Sequence, residues 1–342
     1  MFGSMKRILI SLIPMLLIAS GVTAHAQVGT DLVAQAKKEG RVAWYTTVSI
    51  PEANQFIEMF EKQYPFIKVD LLRSGAGALV NRIMSEYGAR NYAPDVLQGM
   101  TSRGGLRALR QRGILGKYES AEFKFLPNEL KDKAGLWASA TLNTFVLVYN
   151  KRMVKPQDAP KTYDDLLKPV WKGKQILNDS DNFEWFDGLL RYWGRDKALA
   201  YFRRLAQQEQ VFQRGARGRI QLVAAGEFPV TIGYGPHAQS FITQGAPIEW
   251  VGLEPVVVIL NTVSLAAKAP HPAAARLLID FLFSKPAQMK LRELNRIPAR
   301  VDVEADPPRL LKGFKTIAQD LESEGMAESI EQFQQIFGLR IK

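Results

Sequence analysis

Cysteine is absent from all 342 residues. An exported chain without it makes no disulfides and must draw its stability from a large hydrophobic core. The absence also excludes a lipid-modified N-terminal cysteine and every thiol nucleophile. No Gly-x-Ser-x-Gly, His-Glu-x-x-His or phosphate-binding-loop pattern occurs either. Tandem repeats and low-complexity tracts are missing, and beyond the first residues no apolar run reaches the roughly 20 residues that cross a bilayer.

The N-terminus is informative. Lys6 and Arg7 precede the apolar stretch Ile8 to Ala19, and Ala24-His25-Ala26 gives an A-x-A cleavage pattern before Gln27. That order of charge, apolar core and small residues predicts a signal peptide over 1–26. Export without a lipid anchor suits the periplasm of a two-membrane bacterium. Removing 26 of the 342 residues leaves 316, enough for two domains. The net charge falls from +11 to +9 with the loss of two cations. Outside the cytoplasm such a balance points to an anionic ligand or membrane surface rather than nucleic acid.

Strand and helix patterns alternate along the mature chain. Asp31 to Glu39 is helical in period, "RVAWYTT" (41–47) reads as a strand, and Pro51 opens a helix to Gln63. "FIKVDLL" (66–72) and "PDVLQGM" (94–100) are further strands, with a Ser/Gly turn and helix (73–88) between them. Such alternation implies a parallel sheet covered on both faces, with ligands at the loops leaving the strand C-termini. "TFVLVYNKRMV" (144–154) starts a second α/β region that includes the strands "PVTIGYG" (229–235) and 248–267. A helix over 271–288 and a helical tail to about Phe337 complete the expected elements.

"RGARGR" (214–219) places Arg214, Arg217 and Arg219 before a short helix that ends at Gly226. Cations at a helix N-terminus oppose the macrodipole. The pattern makes sense where a bound anion sits among them.

"VYNKRMV", "PKTYDDLLKPVWKGK", "VAAGEFPVTIGY" and "APHPAAARLLIDFLFSKPAQ" lie in an order and spacing that resembles the periplasmic solute-binding proteins of ABC importers, the ferric-iron-type group. The resemblance implies an α/β two-lobed (Venus-flytrap) fold with a hinged cleft and two crossovers, near Ala138–Asn143 and Val256–Thr262. Lobe 1 would comprise 27–140 and 262–342, and lobe 2 would comprise 141–261. It further implies a soluble monomer that delivers a small solute to an inner-membrane permease, with no enzyme activity, cofactor or nucleic-acid partner. Enzymes on this fold, a thiamine-cleaving enzyme and a tetrapyrrole-forming deaminase, depend on cysteine chemistry that this chain lacks.

Ferric iron in that group is held by two adjacent tyrosines, often with a histidine and a carboxylate. Here the strand end reads Gly233-Tyr234-Gly235-Pro236-His237, with one tyrosine. The first-strand loop has no histidine, and the third-strand loop has Thr101, Ser102 and Arg103 where the carboxylate belongs. The expected ligand is therefore a small anion of the phosphonate, sugar phosphate or carboxylate type, with no metal ligands. Iron with an exogenous anion, using Tyr234, is the alternative, and a ligand-presenting role for a membrane sensor is the second. The expected contacts are Thr46 and Thr47, the helix start at Ser74 and Gly75, and Ser102 with Arg103. Arg217, Asp179, Tyr234 and His237 join them from the other lobe, and Trp185 is expected to cover an apolar ligand body.

Overall fold

The computed structural model describes residues 31–339, so the expected leader at 1–26 lies outside it. The first lobe begins as its periodicity predicts, with α1 (31–39), β1 (Arg41–Thr46), α2 (Ile50–Gln63), β2 (Lys68–Arg73), α3 (Ala76–Gly88) and β3 (Val96–Gln98). β1 pairs in parallel with β2 on one side and β3 on the other. Alternation along β1 sends Val42 and Trp44 into the core, where α2 meets them with Ala53, Phe56 and Phe60. Then come α4 (Gly105–Gln111) and the two-residue β4 (Leu115–Gly116).

β5 (Ala138–Asn150) is 13 residues long and leaves the first lobe for the second. There follow β6 (Ile176–Asn178), α5 (Phe183–Trp193), α6 (Arg195–Ala206), β7 (Val211–Phe212), α7 (Ala216–Ala225), β8 (Val230–Tyr234), α8 (Gly235–Thr243) and β9 (Ile248–Val251). β10 (Val256–Ala266) returns to the first lobe, where α9 (Pro272–Phe283), α10 (Lys285–Glu293) and β11 (Ile297–Pro298) lie. The chain finishes with β12 (Thr316–Ala318) and α11 (Met326–Phe337).

β5 and β10 form the hinge between the lobes. They run antiparallel, in register from Ala138 opposite Val263 to Thr144 opposite Val258. From Phe145 onward β5 pairs instead with β8 and β9 of the second lobe. β10 meanwhile joins β3 at Val263–Leu265. The first-lobe sheet is mixed rather than parallel, because β10 runs against β3.

Two further readings change. The apolar pattern of 271–288 is broken at Ser284, whose hydroxyl accepts from Ala287 N–H and starts α10 afresh. The tail is not continuously helical, since Pro298, Pro307 and Pro308 remove donors and no α-helix spans 294–325. α11 belongs with the second lobe's core rather than the first's: Phe333 is fully buried 5.3 Å from the Phe183 ring and 5.5 Å from that of Phe186. The expected allocation of 262–342 to lobe 1 does not hold for this helix.

Register in the hinge skips one residue. Asn261 faces Thr141 and Thr262 faces Ser139, so Ala140 has no partner across the ladder. Its carbonyl is taken by Gln288, which is fully buried and donates to Ala140 O (3.0 Å) and Leu282 O (2.9 Å). The same amide accepts from Ala299 N–H at 2.8 Å. Gln288→Leu would orphan three backbone groups, each costing about 1–3 kcal/mol. Urea unfolding of that variant should show a loss of at least about 3 kcal/mol with an unchanged m-value; a loss under about 1 kcal/mol would contradict this account of the bulge.

Candidate functional site

The strand C-termini of both lobes converge on the hinge. In the first lobe Thr46 is fully buried, with its hydroxyl donating to Gln98 Oε1 (3.2 Å) and accepting from Val48 N–H (3.1 Å). It shapes the loop and cannot reach a solute, which corrects its expected role. Gln98 also donates to Asn261 Oδ1 (2.9 Å), and Asn261 reaches Thr47 Oγ1 at 3.5 Å. This packing explains Gly99: a Cβ there would lie 2.0 Å from Thr47 Oγ1. Of the expected first-lobe contacts, Ser74 spends its N–H on Thr46 O (3.3 Å). Gly75 caps α3, and a Cβ at either Gly75 or Gly77 would meet only open space. The free N–H groups of α3's first turn are therefore approachable.

The third loop is already engaged. Arg103 and Gly104 are successive left-handed residues (φ +55° and +71°). Arg103 N–H donates to Glu184 Oε1 at 2.8 Å. The Arg103 guanidinium binds Asp181 at 2.5 Å and lies 4.8 Å from the Phe183 ring centre. Asp181 also pairs with Arg214 at 2.6 Å.

The arginine segment therefore divides. Arg219 is fully buried, paired with Asp179, and donates to Ile232 O (2.9 Å) and Gln213 O (3.2 Å). Asp179 is spent on this pair and on Asp181 N–H, so its expected ligand role falls away. Two of the three arginines are neutralised by carboxylates of the chain itself, not by a bound anion. Arg217 differs: it is exposed at the start of α7, packs over Phe241 at 5.0 Å and has no carboxylate partner among the described residues. Trp185 is also corrected. It is fully buried in the second core, bonded through Nε1 to Tyr163 OH at 3.2 Å, and covers no cleft.

Tyr234 ends β8 and caps α8, its ring 4.9 Å from Phe145 and 5.5 Å from His237. Burial, then the Glu184 and Asp179 carboxylates, push its phenol well above the ordinary value, so it remains a neutral donor. Gly235 is required because a Cβ would come within 2.6 Å of Thr144 Oγ1 in the hinge. His237 is held well below the ordinary imidazole range, first by burial and then by Arg296, Arg217 and Arg219. Its Nδ1 has no partner among the described residues. Arg296 is clamped by Glu52 at 2.6 and 2.8 Å. Sequence reasoning missed Glu184, Arg296 and the Gln98–Asn261 pair; only Glu184, an acid in a helix's first turn, left a trace, and that trace reads equally as dipole compensation. Among the described residues no group of three His, Cys, Asp or Glu forms a metal-holding cluster.

Removing one member of the Arg219–Asp179 pair leaves a buried charge alone, at about 3–5 kcal/mol. Arg219→Ala should lower stability by that order in urea unfolding, while Arg214→Ala stays within about 0.5 kcal/mol. Equal small losses would contradict the division.

The model for bacterial extracellular solute-binding proteins matches residues 91–320. Iron uptake protein A1 of Synechocystis is 28% identical over 250 residues, covering 67% of each chain. A Salmonella typhimurium protein named for 2-aminoethylphosphonate binding is 27% identical over 252 residues, covering 69% of this chain and 71% of its own. Among solved structures, iron-bound HitA of Pseudomonas aeruginosa has a TM-score of 0.76 at 20% identity, over 86% of this chain and 99% of its own. AfuA of Actinobacillus pleuropneumoniae, with exogenous fructose-6-phosphate bound, gives 0.76 at 24% identity, over 88% and 99%.

Proposed function

The chain belongs to the bacterial extracellular solute-binding proteins and is the substrate-binding component of an ABC transporter; we propose that its solute is a small organic anion, captured in the periplasm between the lobes. The monomer then presents the loaded cleft to an inner-membrane permease, and it performs no catalysis on the solute. One observation carries the anion reading: Arg217, at the start of α7, packs over Phe241 of α8 and is not neutralised by any carboxylate of the described residues. His237, in the first turn of α8, is kept neutral by burial first and then by Arg296, Arg217 and Arg219. A phosphonate, phosphate or carboxylate at the wall made by the N-termini of α7 and α8 would meet the α8 dipole, Arg217 and the Tyr234 hydroxyl together. The first turn of α3, with Thr47 beside it, faces the solute from the other lobe. The names of the relatives span both chemistries, 2-aminoethylphosphonate and iron.

Ferric iron with an exogenous anion is the second reading, favoured by Tyr234 at the strand end. It requires the phenolate, which burial and the neighbouring carboxylates oppose.

The two readings give opposite pH slopes. An anion beside His237 raises its pKa toward the ordinary value of about 6.5, so binding takes up a proton. Affinity for 2-aminoethylphosphonate or fructose-6-phosphate, measured by calorimetry, should strengthen as pH falls from 7.5 to 5.5, and His237→Gln should flatten that component. Tyrosinate coordination of iron releases a proton, so affinity would strengthen as pH rises. Tyr234→Phe should cost an organic anion about 1 kcal/mol, one hydrogen bond. Abolished binding in that variant, with a coloured ferric complex in the wild type, would overturn the first reading.

A further inference from the structure

Glu184 stands in a place where these sheets ordinarily receive a ligand: the loop leaving the C-terminus of a parallel strand, here β3. Successive left-handed or turn residues aim their N–H groups at one point and make a concavity for an anion. The turn at Arg103 and Gly104 has that conformation, and an anion is already in it. That anion is the Glu184 carboxylate, which reaches across from the second lobe to Arg103 N–H at 2.8 Å. Its side chain is buried at 6% exposure. Asp181, three residues earlier, takes the Arg103 guanidinium at 2.5 Å. Both the backbone N–H and the guanidinium of Arg103 are thus matched by acids of the same chain.

We propose that Glu184 is a specificity-determining residue: a built-in anion that closes the Ser102–Arg103 turn to the solute and directs the solute's charged group to the opposite wall, between α7 and α8. A solute anion at the turn would have to displace a hydrogen-bonded carboxylate and lie beside Asp181, an arrangement of like charges that a site does not tolerate. At the α7–α8 wall the balance is reversed, with Arg217 unpaired among the described residues. Glu184 therefore favours solutes with one anionic group and selects against those with an anion at each end. The inference rests on the anion reading above for the second half of its claim, and on the Glu184 contacts alone for the first.

Inorganic phosphate is a probe small enough to report each wall separately. Calorimetric titration at low ionic strength should give one phosphate per chain for the wild type and two for Glu184→Ala or Glu184→Ser. Either truncation opens the turn, so one folded variant suffices. Glu184→Gln, whose amide oxygen still fills the turn, should retain one. A crystal of the truncated variant with phosphate should show the added ion on Arg103 N–H. One phosphate in both the wild type and the truncated variant would overturn the role of Glu184 and leave the anion reading standing. None in the wild type and one in the variant, seated at the turn, would support the closing role and count against the α7–α8 wall. None in either would overturn the proposal.

Discussion

The antiparallel pairing of β5 with β10 is the constraint on which the molecule depends. Both strands serve both lobes: β5 gives its first half to β10 and β11 and its second half to β8 and β9. Each lobe is thereby fixed at one end of a two-strand ribbon, and the strand C-termini that bear the site loops are brought face to face. The ribbon is built almost entirely from buried residues, and several of its polar side chains are answered inside the protein: Asn261 by Gln98, Thr141 by Ile297 O and Ser139 by Thr141 O. The unpaired Ala140 is secured by Gln288. Position at the hinge also explains why Gly99 and Gly235 have no side chain, since each lies against a hydroxyl of a neighbouring strand or loop.

Charge is distributed over the cleft by the same geometry. The β6 end sends Asp179 to the buried Arg219 and Asp181 to Arg103 and Arg214. Glu184, at the start of α5, closes the first-lobe turn. These acids pair with the arginines around them and leave Arg217 without a carboxylate partner among the described residues. Selectivity in such a site depends on which cations stay unanswered, not on how many the sequence contains.

The architecture was legible in the chain because hydrophobic period and turn residues act locally. The strand at Val230–Tyr234 and the helix closing at Gly226 follow from that pattern. The division of roles among the arginines was not legible. Arg214, Arg217 and Arg219 share five neighbours' worth of sequence, yet a helix turn places Arg219 in the core and leaves Arg217 outside. Trp185 was misread for a similar reason: a tryptophan beside a polar loop suits a ligand face or a core equally, and only the packing of Tyr163 against it decides. The tail was misread because α11 docks on the lobe from which it is remote in sequence.

The most direct test is the mass of what the protein carries. Native mass spectrometry of the protein purified from its native cells, followed by denaturation and identification of the released species with a parallel metal assay, measures the solute itself. The account predicts one small organic molecule per chain, bearing a single anionic group, with no stoichiometric iron. Stoichiometric ferric iron, or a released solute without negative charge, would contradict it.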